Sequence, residues 1–220
     1  MEQIAQTGRK RPVENGAYLF MEGDPAEWLL VVLQGRVRLS QVTADGQQVI
    51  LQIASPGESI GVIAVLSAVE YPVTAQAVEE SLVMAWDHQT MRSLMEQMPG
   101  LALNALQIMA GRVRQFQDRV RELSTEKVER RIARALLRLA SQTGRKVAEG
   151  VLIDFSLSRQ DLAEMTGTTL FTVSRTLSQW ESQGLVKSRR EQVIICSPHG
   201  LVSIAEDLPK RNSPASYLKE

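Results

Sequence analysis

LSRQDLAEMTGTTLFTVSRTLSQWESQGLV, residues 157–186, is the stretch that decides the fold of the chain's second half. Its apolar pattern predicts two short helices joined at 166–168, and a three-residue link with a central glycine is typical of a helix-turn-helix. Ser158 is placed to cap the first helix, with Asp161 three positions later as in a capping box. The second helix is predicted to begin near Thr168 or Thr169.

The two predicted helices separate an apolar side from a polar side. The polar side offers short hydroxyls, one arginine and a helix N-terminus, which together can reach phosphates and base edges in the major groove of DNA. The alternative is a helical hairpin with a solvated polar face. The predicted DNA-binding residues are Ser158, Arg159, Thr168, Thr169, Leu170, Phe171, Thr172, Ser174, Arg175, Ser178 and Gln179.

Within this set the residues are predicted to have two roles. Arg175 is the expected base-reading residue, because its paired donors match O6 and N7 of guanine. Supporting contacts to bases are expected from Thr172, Ser174 and Gln179, and contacts to phosphates from Ser158, Arg159 and Thr169.

The sequence on either side of this stretch completes a small domain. An amphipathic helix is predicted over 126–141, a loop through Gly150, and a short strand over 151–155. After Gly184, two apolar runs at 185–187 and 193–196 flank a charged turn, which indicates a wing. We therefore predict a winged helix-turn-helix over 124–207 and a flexible tail over 208–220.

The net charge is zero, but the charges are unevenly distributed. Residues 1–123 hold 10 Lys and Arg against 14 Asp and Glu, whereas residues 124–220 hold 15 against 11. Because phosphate binding depends on local charge, the basic second half is the expected site of DNA contacts.

From Tyr18 to Trp86 the apolar residues form short runs separated by glycine and proline. This pattern is typical of strands joined by tight turns, and Asp45-Gly46 lies at a predicted hairpin. The first part of the chain, residues 1–98, is therefore predicted to be a closed or sandwiched β structure.

Between these parts, residues 99–123 are predicted to form one long helix. Its apolar residues are spaced alternately four and three apart, as in a coiled-coil seam. The alternative is a helix packed on its own domain, and a second stripe (Leu101, Ala105, Ile108) could face the β structure. The predicted dimerisation residues are Leu106, Met109, Val113, Phe116, Val120 and Leu123.

Several protein classes are excluded by composition. The longest apolar run is too short to span a membrane, and the start of the chain lacks a signal-peptide core, so we expect a cytoplasmic protein with no membrane partner. The single Cys196 can form neither an internal disulfide nor an iron–sulfur cluster. Two scattered histidines cannot supply a catalytic metal site, and no nucleophile triad or phosphate loop is visible, so no enzyme and no metal are predicted.

The order of these features resembles the superfamily of the cyclic-AMP receptor protein and the fumarate-nitrate regulator (CRP/FNR). The resemblance rests on EGDP at 22–25, on Gly35 followed by VRL at 37–39, on PGESIG at 56–61, on the long helix and on 157–186. It implies an α+β fold in which an N-terminal double-stranded β-helix (a jelly-roll sensor of eight strands) precedes a dimerisation helix and a winged helix-turn-helix. It further implies a homodimer on a two-fold-symmetric DNA site and RNA polymerase as a partner.

The resemblance also assigns residues. Ser174 and Arg175 match the family's recognition positions, whereas Phe171 stands where many members carry glutamate, so the half-site sequence cannot be carried over. In the sensor, Val62 occupies the position of the glutamate that holds the ribose of cyclic AMP, and Pro72-Val73 fall at the arginine-serine pair that holds its phosphate. Since an unpaired buried anion is costly, cyclic AMP is predicted not to bind. The expected effector pocket comprises Gly61, Val62, Ile63, Ala64, Pro72 and Val73.

The identity of the effector stays open at this point. The segment 61–66 looks like that of the cyanobacterial nitrogen regulator, whose members bind 2-oxoglutarate, but no arginine lies between Arg38 and Arg92 to pair with a dicarboxylate. An apolar effector, haem or no small ligand are the alternatives, with His88, His199 and Cys196 as candidate haem ligands. A cyclic-nucleotide-type module that acts on a partner protein is the alternative function, which binding to duplex DNA would exclude.

Overall fold

The computed structural model describes residues 2–62, 69–189 and 191–208. The chain divides into two compact units. The first contains Met1–Ser124 together with Ala163–Gly167, and the second contains Thr125–Leu162 and the residues from Thr168 onward. Of the predicted tail at 208–220, only Leu208 lies within the described residues.

The first unit begins with a short helix and continues as antiparallel strands in two four-stranded sheets, ordered β1-β8-β3-β6 and β2-β7-β4-β5. The predicted strand region is confirmed, and the turn at Gly46 (φ 81°) joins β4 to β5 as expected. Helix α1 and strand β1 were not predicted, because the exposed basic residues of β1 show no apolar alternation. The elements are α1 Glu2–Thr7, β1 Arg9–Val13, β2 Tyr18–Phe20, β3 Trp28–Gln34, β4 Val37–Val42, β5 Gln48–Ala54, β6 Ser59–Ile60, β7 Thr74–Ala77 and β8 Ser81–Asp87.

One apolar cluster is built around two stacked aromatic rings. The rings of Phe20 and Tyr71 are parallel, with centroids 3.7 Å apart. The Tyr71 hydroxyl donates a hydrogen bond to the Trp28 carbonyl and accepts one from the Trp28 amide, both at 2.8 Å. Burial of this ring raises the pKa of Tyr71. Tyr71 thereby holds the segment that precedes β7 against β2 through its ring and against the start of β3 through its hydroxyl.

A second apolar cluster lies where sheet and helices meet. It contains Val62 and Trp86 together with Met91 of helix α2 (His88–Gln97) and Ala105 of the long helix α3 (Pro99–Thr125). Two hydrogen bonds from Thr90, through its backbone amide and its hydroxyl, cap α2 at the Asp87 carboxylate and lower the pKa of Asp87. This cluster anchors the first turns of the long helix to the β structure.

The second unit is a helical domain with a small antiparallel sheet, ordered β11-β12-β10-β9. The predicted loop before Gly150 is wrong in part, because 144–147 pair with the following strand as a hairpin. The side chain of Trp180 is buried in this unit, as are those of Ile132, Leu136 and Leu201. From Val128 onward the elements of the chain are α4 Val128–Thr143, β9 Gly144–Val147, β10 Gly150–Ile153, α5 Arg159–Thr166, α6 Leu170–Ser182, β11 Val186–Arg189, β12 Gln192–Ile195 and α7 Pro198–Ala205.

Among the described helices, none combines the length and the apolar character needed to cross a membrane.

Candidate nucleic-acid interface

The turn between α5 and α6 sets up the start of α6. Gly167 has a φ of 59°, which lets the chain reverse without a side-chain clash. Thr169 is the N-cap of α6, and its hydroxyl accepts a hydrogen bond from the Thr172 amide at 3.2 Å. The two threonine hydroxyls are 3.0 Å apart and hydrogen-bonded to each other. Both hydroxyls therefore help to stabilise the helix end.

The remaining positions of α6 divide cleanly into a buried and an outward side. Val173, Leu177 and Trp180 are buried. The outward side carries the predicted residues, of which Leu170, Phe171, Arg175, Ser178 and Gln179 are exposed and Thr172 and Ser174 half-buried. Within the described part of the chain, no residue forms a hydrogen bond or ion pair with the Arg175 guanidinium. An exposed cation without a partner on a helix face is available to a ligand.

Two residues predicted to contact phosphates are already engaged by the protein. The Ser158 amide and hydroxyl donate to the Asp161 carboxylate at 2.9 and 2.6 Å, and the Asp161 amide donates back to the Ser158 hydroxyl at 3.0 Å. This is the predicted capping box, here with aspartate at its far end. Arg159 donates to the Ser188 hydroxyl at 3.2 Å. Ser158 and Arg159 thus hold α5 and the wing strand in place.

The predicted wing is the hairpin of β11 and β12. At its tip Glu191 has a φ of 57°, and its carbonyl accepts a hydrogen bond from the Leu157 amide at 2.9 Å. Its carboxylate accepts one from the Ser156 hydroxyl at 2.8 Å. These bonds fix the wing next to the start of α5, and Arg189 is exposed beside it.

A second outward face lies on the long helix. The side chains of five predicted dimerisation residues are between 45% and 63% exposed, although all five are large and apolar. Met109, the sixth, is half-buried and packs against the second apolar cluster of its own unit. Leu101 and Ala105 also face that cluster, so the helix has one stripe toward the β structure and another toward solvent. The exposed stripe consists of Leu106, Val113, Phe116, Val120 and Leu123.

Comparison with known proteins identifies both units. The cyclic nucleotide-binding domain matches residues 10–98, and the Crp-like helix-turn-helix domain matches residues 130–204. The transcriptional activator protein anr of Pseudomonas aeruginosa is 26% identical over 205 residues, which cover 93% of this chain and 83% of that protein. The chain belongs to the CRP/FNR superfamily of transcription regulators. The exposed face of α6 is therefore that of a DNA-binding helix-turn-helix.

Two further proteins show how far the likeness of this CRP/FNR regulator extends. The CRP-like cAMP-activated global transcriptional regulator of Mycobacterium tuberculosis is 24% identical over 193 residues, covering 87% of this chain and 86% of that protein. FixK2 from Bradyrhizobium japonicum has the same fold, with a TM-score of 0.78 at 24% identity over 90% of this chain and 96% of that one.

In the sensor of this regulator, the structure separates the residues of the expected pocket. Val62 is only 1% exposed and belongs to the cluster between sheet and helices, whereas Val73 packs against the cluster that contains Phe20 and Tyr71. Pro72 is exposed. Gly61 has a φ of 72°, and a Cβ there would lie 2.5 Å from the Trp28 carbonyl oxygen, so only glycine fits. Ile63 and Ala64 lie outside the described residues.

Sequence reasoning missed one cation in the sensor. The Arg112 guanidinium, on the long helix, donates to the carbonyl of Ser59, two residues before Gly61. Its burial lowers the pKa of Arg112, and the nearby Glu58 carboxylate opposes this effect. The sequence between positions 38 and 92 does not contain it, because Arg112 lies on the long helix, 53 residues beyond Ser59. Arg112 lies seven residues, or two helical turns, after the buried Ala105, and this spacing indicates that both lie on the helix face toward the β structure.

The three candidate haem ligands lie in two different units. His88 lines an open depression of about 890 Å³ together with Glu22, Glu27 and Glu70. Three carboxylates would repel the propionates of a haem. His199 and Cys196 both lie in the second unit, where His199 is exposed and Cys196 directly follows strand β12 of the wing. These surroundings give no support to haem as the effector.

Proposed function

We propose that this regulator acts as a homodimer that binds a two-fold-symmetric DNA site, with α6 of each copy in the major groove. The observation that supports this most directly is the exposed Arg175 on the outward face of α6, which has no hydrogen-bond or ion-pair partner among the residues that the structure describes. A guanidinium can bond O6 and N7 of a guanine at once, which no other base pair offers in the same geometry. Ser174 and Gln179 flank it on the same face.

The dimer is proposed from the stripe on the long helix. Five exposed apolar side chains at heptad-like spacing are a surface that water solvates poorly and that a second copy of the same helix can cover. A two-fold dimer places two copies of α6 on two half-sites, and the operator then mirrors the symmetry of the protein.

Selection from a random duplex library tests this proposal. The full-length protein is expected to enrich an inverted repeat whose half-sites contain guanine. Arg175→Ala, changed at an exposed position, should fold normally and lose the preference at one base pair in each half. If the wild type enriches no sequence, the proposal fails, and the result favours the alternative function, a module that acts on a partner protein.

We further propose that the effector is not cyclic AMP. Val62 is part of a packed apolar cluster, and Val73 packs among apolar side chains, so neither position can pair with a ribose hydroxyl or a phosphate. Calorimetry with cyclic AMP at up to millimolar concentration is expected to give no binding heat. Saturable binding in the micromolar range would contradict this.

RNA polymerase is the proposed protein partner, in keeping with the regulators that the chain resembles. Transcription reconstituted from purified polymerase and a promoter carrying the selected site tests it. The protein should change transcript level from that promoter and not from one whose half-sites are scrambled.

A further inference from the structure

The first turn of α6 carries an apolar side chain in an unusual setting. Phe171 is 74% exposed, more than any other large apolar side chain among the described residues. Leu170, just before it, is 49% exposed. An aromatic ring normally contributes to stability through burial, and this one contributes little of that kind to the single chain. Its setting therefore requires another explanation.

The position of Phe171 along the helix relates it to Arg175 and Gln179. These residues are four positions apart, so they form one ridge on the outward face. With a rise of about 1.5 Å per residue, Phe171 lies about 6 Å from Arg175 along the helix axis. Base pairs are stacked about 3.4 Å apart, and a helix in the major groove is tilted from the DNA axis, so this distance corresponds to at most about two base pairs.

The chemistry of this first turn narrows what Phe171 can recognise. The turn contains no acidic residue, so no carboxylate there can accept a hydrogen bond from a cytosine amino group. The hydroxyls of Thr169 and Thr172 are hydrogen-bonded to each other. Besides these hydroxyls, the turn presents two apolar side chains outward, Leu170 and Phe171. On the floor of the major groove, the 5-methyl group of thymine is the apolar feature.

We propose that Phe171 is a specificity-determining residue that contacts the 5-methyl group of a thymine, at most about two base pairs from the guanine bound by Arg175. This rests on the proposed placement of α6 in the major groove. Burying one methyl group against the ring should favour thymine over uracil by about fourfold per half-site, and by roughly 15-fold when both half-sites change.

The test replaces each thymine of the selected site by deoxyuridine, in both halves at once, which removes only the methyl group. Dissociation constants are measured for the wild type, for Phe171→Ala and for the control Val202→Ala, which changes an exposed apolar residue of α7 outside the predicted DNA-binding set. At one position near the guanine, the wild type should weaken by roughly 15-fold, Phe171→Ala should bind both duplexes equally, and Val202→Ala should keep the discrimination. Circular dichroism checks that the variants fold.

Two results overturn the proposal. In one, the wild type binds thymine and uracil equally at every position within three base pairs of the guanine. In the other, Phe171→Ala keeps the wild-type ratio of the dissociation constants for the uracil and thymine duplexes. If this variant also lowers transcription while its DNA binding is unchanged, Phe171 contacts a protein and not a base. A wrong placement of α6 in the major groove can be told apart from a wrong role of Phe171, because Arg175→Ala would then select the same site as the wild type.

Discussion

The outward faces of the long helix α3 and of α6 differ in chemistry. The α3 face consists of large apolar side chains at 106, 113, 116, 120 and 123. The α6 face combines an arginine, a serine and a glutamine with an apolar first turn. An apolar stripe is best covered by another protein surface, whereas a cation among short polar groups suits a hydrated polyanion. The contrast indicates that one chain carries two interfaces held by different forces.

The largest expected effect concerns the α3 face. Phe116→Ala removes a large apolar group from both copies, and dimerisation should weaken by about 3–5 kcal/mol, so the dissociation constant should rise at least about 100-fold. Sedimentation measures it. Gln117→Ala, changed at an adjacent exposed polar position, is the control and should leave the dimer intact. A wild type that is monomeric at micromolar concentration would remove the basis of the comparison.

On the α6 face, Arg175→Ala should cost about 1–3 kcal/mol per half-site and relax the preference at one base pair in each half. Arg159 bonds Ser188 through one nitrogen and can face a phosphate with its other donors, so Arg159→Ala should instead weaken binding to all sequences similarly and flatten its salt dependence. Binding measured over a salt series, on the selected site and on a scrambled duplex, separates the two. Equal loss on both duplexes for Arg175→Ala would show that the face is not a base-reading one.

Ser158→Ala tests whether the DNA-binding face extends beyond α6 to the start of α5, or whether Ser158 only caps that helix. Because Ser158 is bonded to Asp161 in a capping box, its loss should lower the free energy of unfolding by about 1 kcal/mol. Urea denaturation measures this. The affinity for the selected and for the scrambled duplex should stay as in the wild type, and an equal loss of affinity on both duplexes would assign Ser158 to a phosphate instead.

The smallest expected effect is that of salt on the dimer. An interface of apolar side chains with exposed charges at its rim should change its dissociation constant less than about threefold between 50 and 200 mM salt, since exposed ion pairs contribute little. DNA affinity should fall far more steeply over the same range. Parallel slopes for the two equilibria would abolish the distinction between the faces.

What the sequence predicted correctly was encoded locally. Glycine and proline between short apolar runs gave the strands of the first unit, and the link at Gly167 gave the helix-turn-helix. What it missed depended on distant partners. Strand β1 is exposed and basic and owes its conformation to pairing with β8, where Arg9 lies opposite Ala85, 76 positions along. Strand β9 likewise relies on pairing with β10, where Lys146 lies opposite Val151.

The sensor shows the same limit at single residues. Val62 was expected to line a pocket, but the helices packed on that side of the sheet bury it. The stripe at Leu101 and Ala105 indicated that the long helix could face the β structure, but not which residues it would bury. Arg112 reaches Ser59 from the long helix for the same reason. The roles of the site residues on α6 remain predictions, because they concern a ligand outside the chain.

The placement of the three tryptophans gives each unit its own optical signal. Trp28 and Trp86 belong to the first unit, whereas Trp180 is buried on the inner side of α6 in the second. Replacing the first two by phenylalanine would leave an emission spectrum that reports on the DNA-binding unit alone. Fluorescence quenching could then follow the opening of that unit independently of the sensor, in the same molecule and without an added dye.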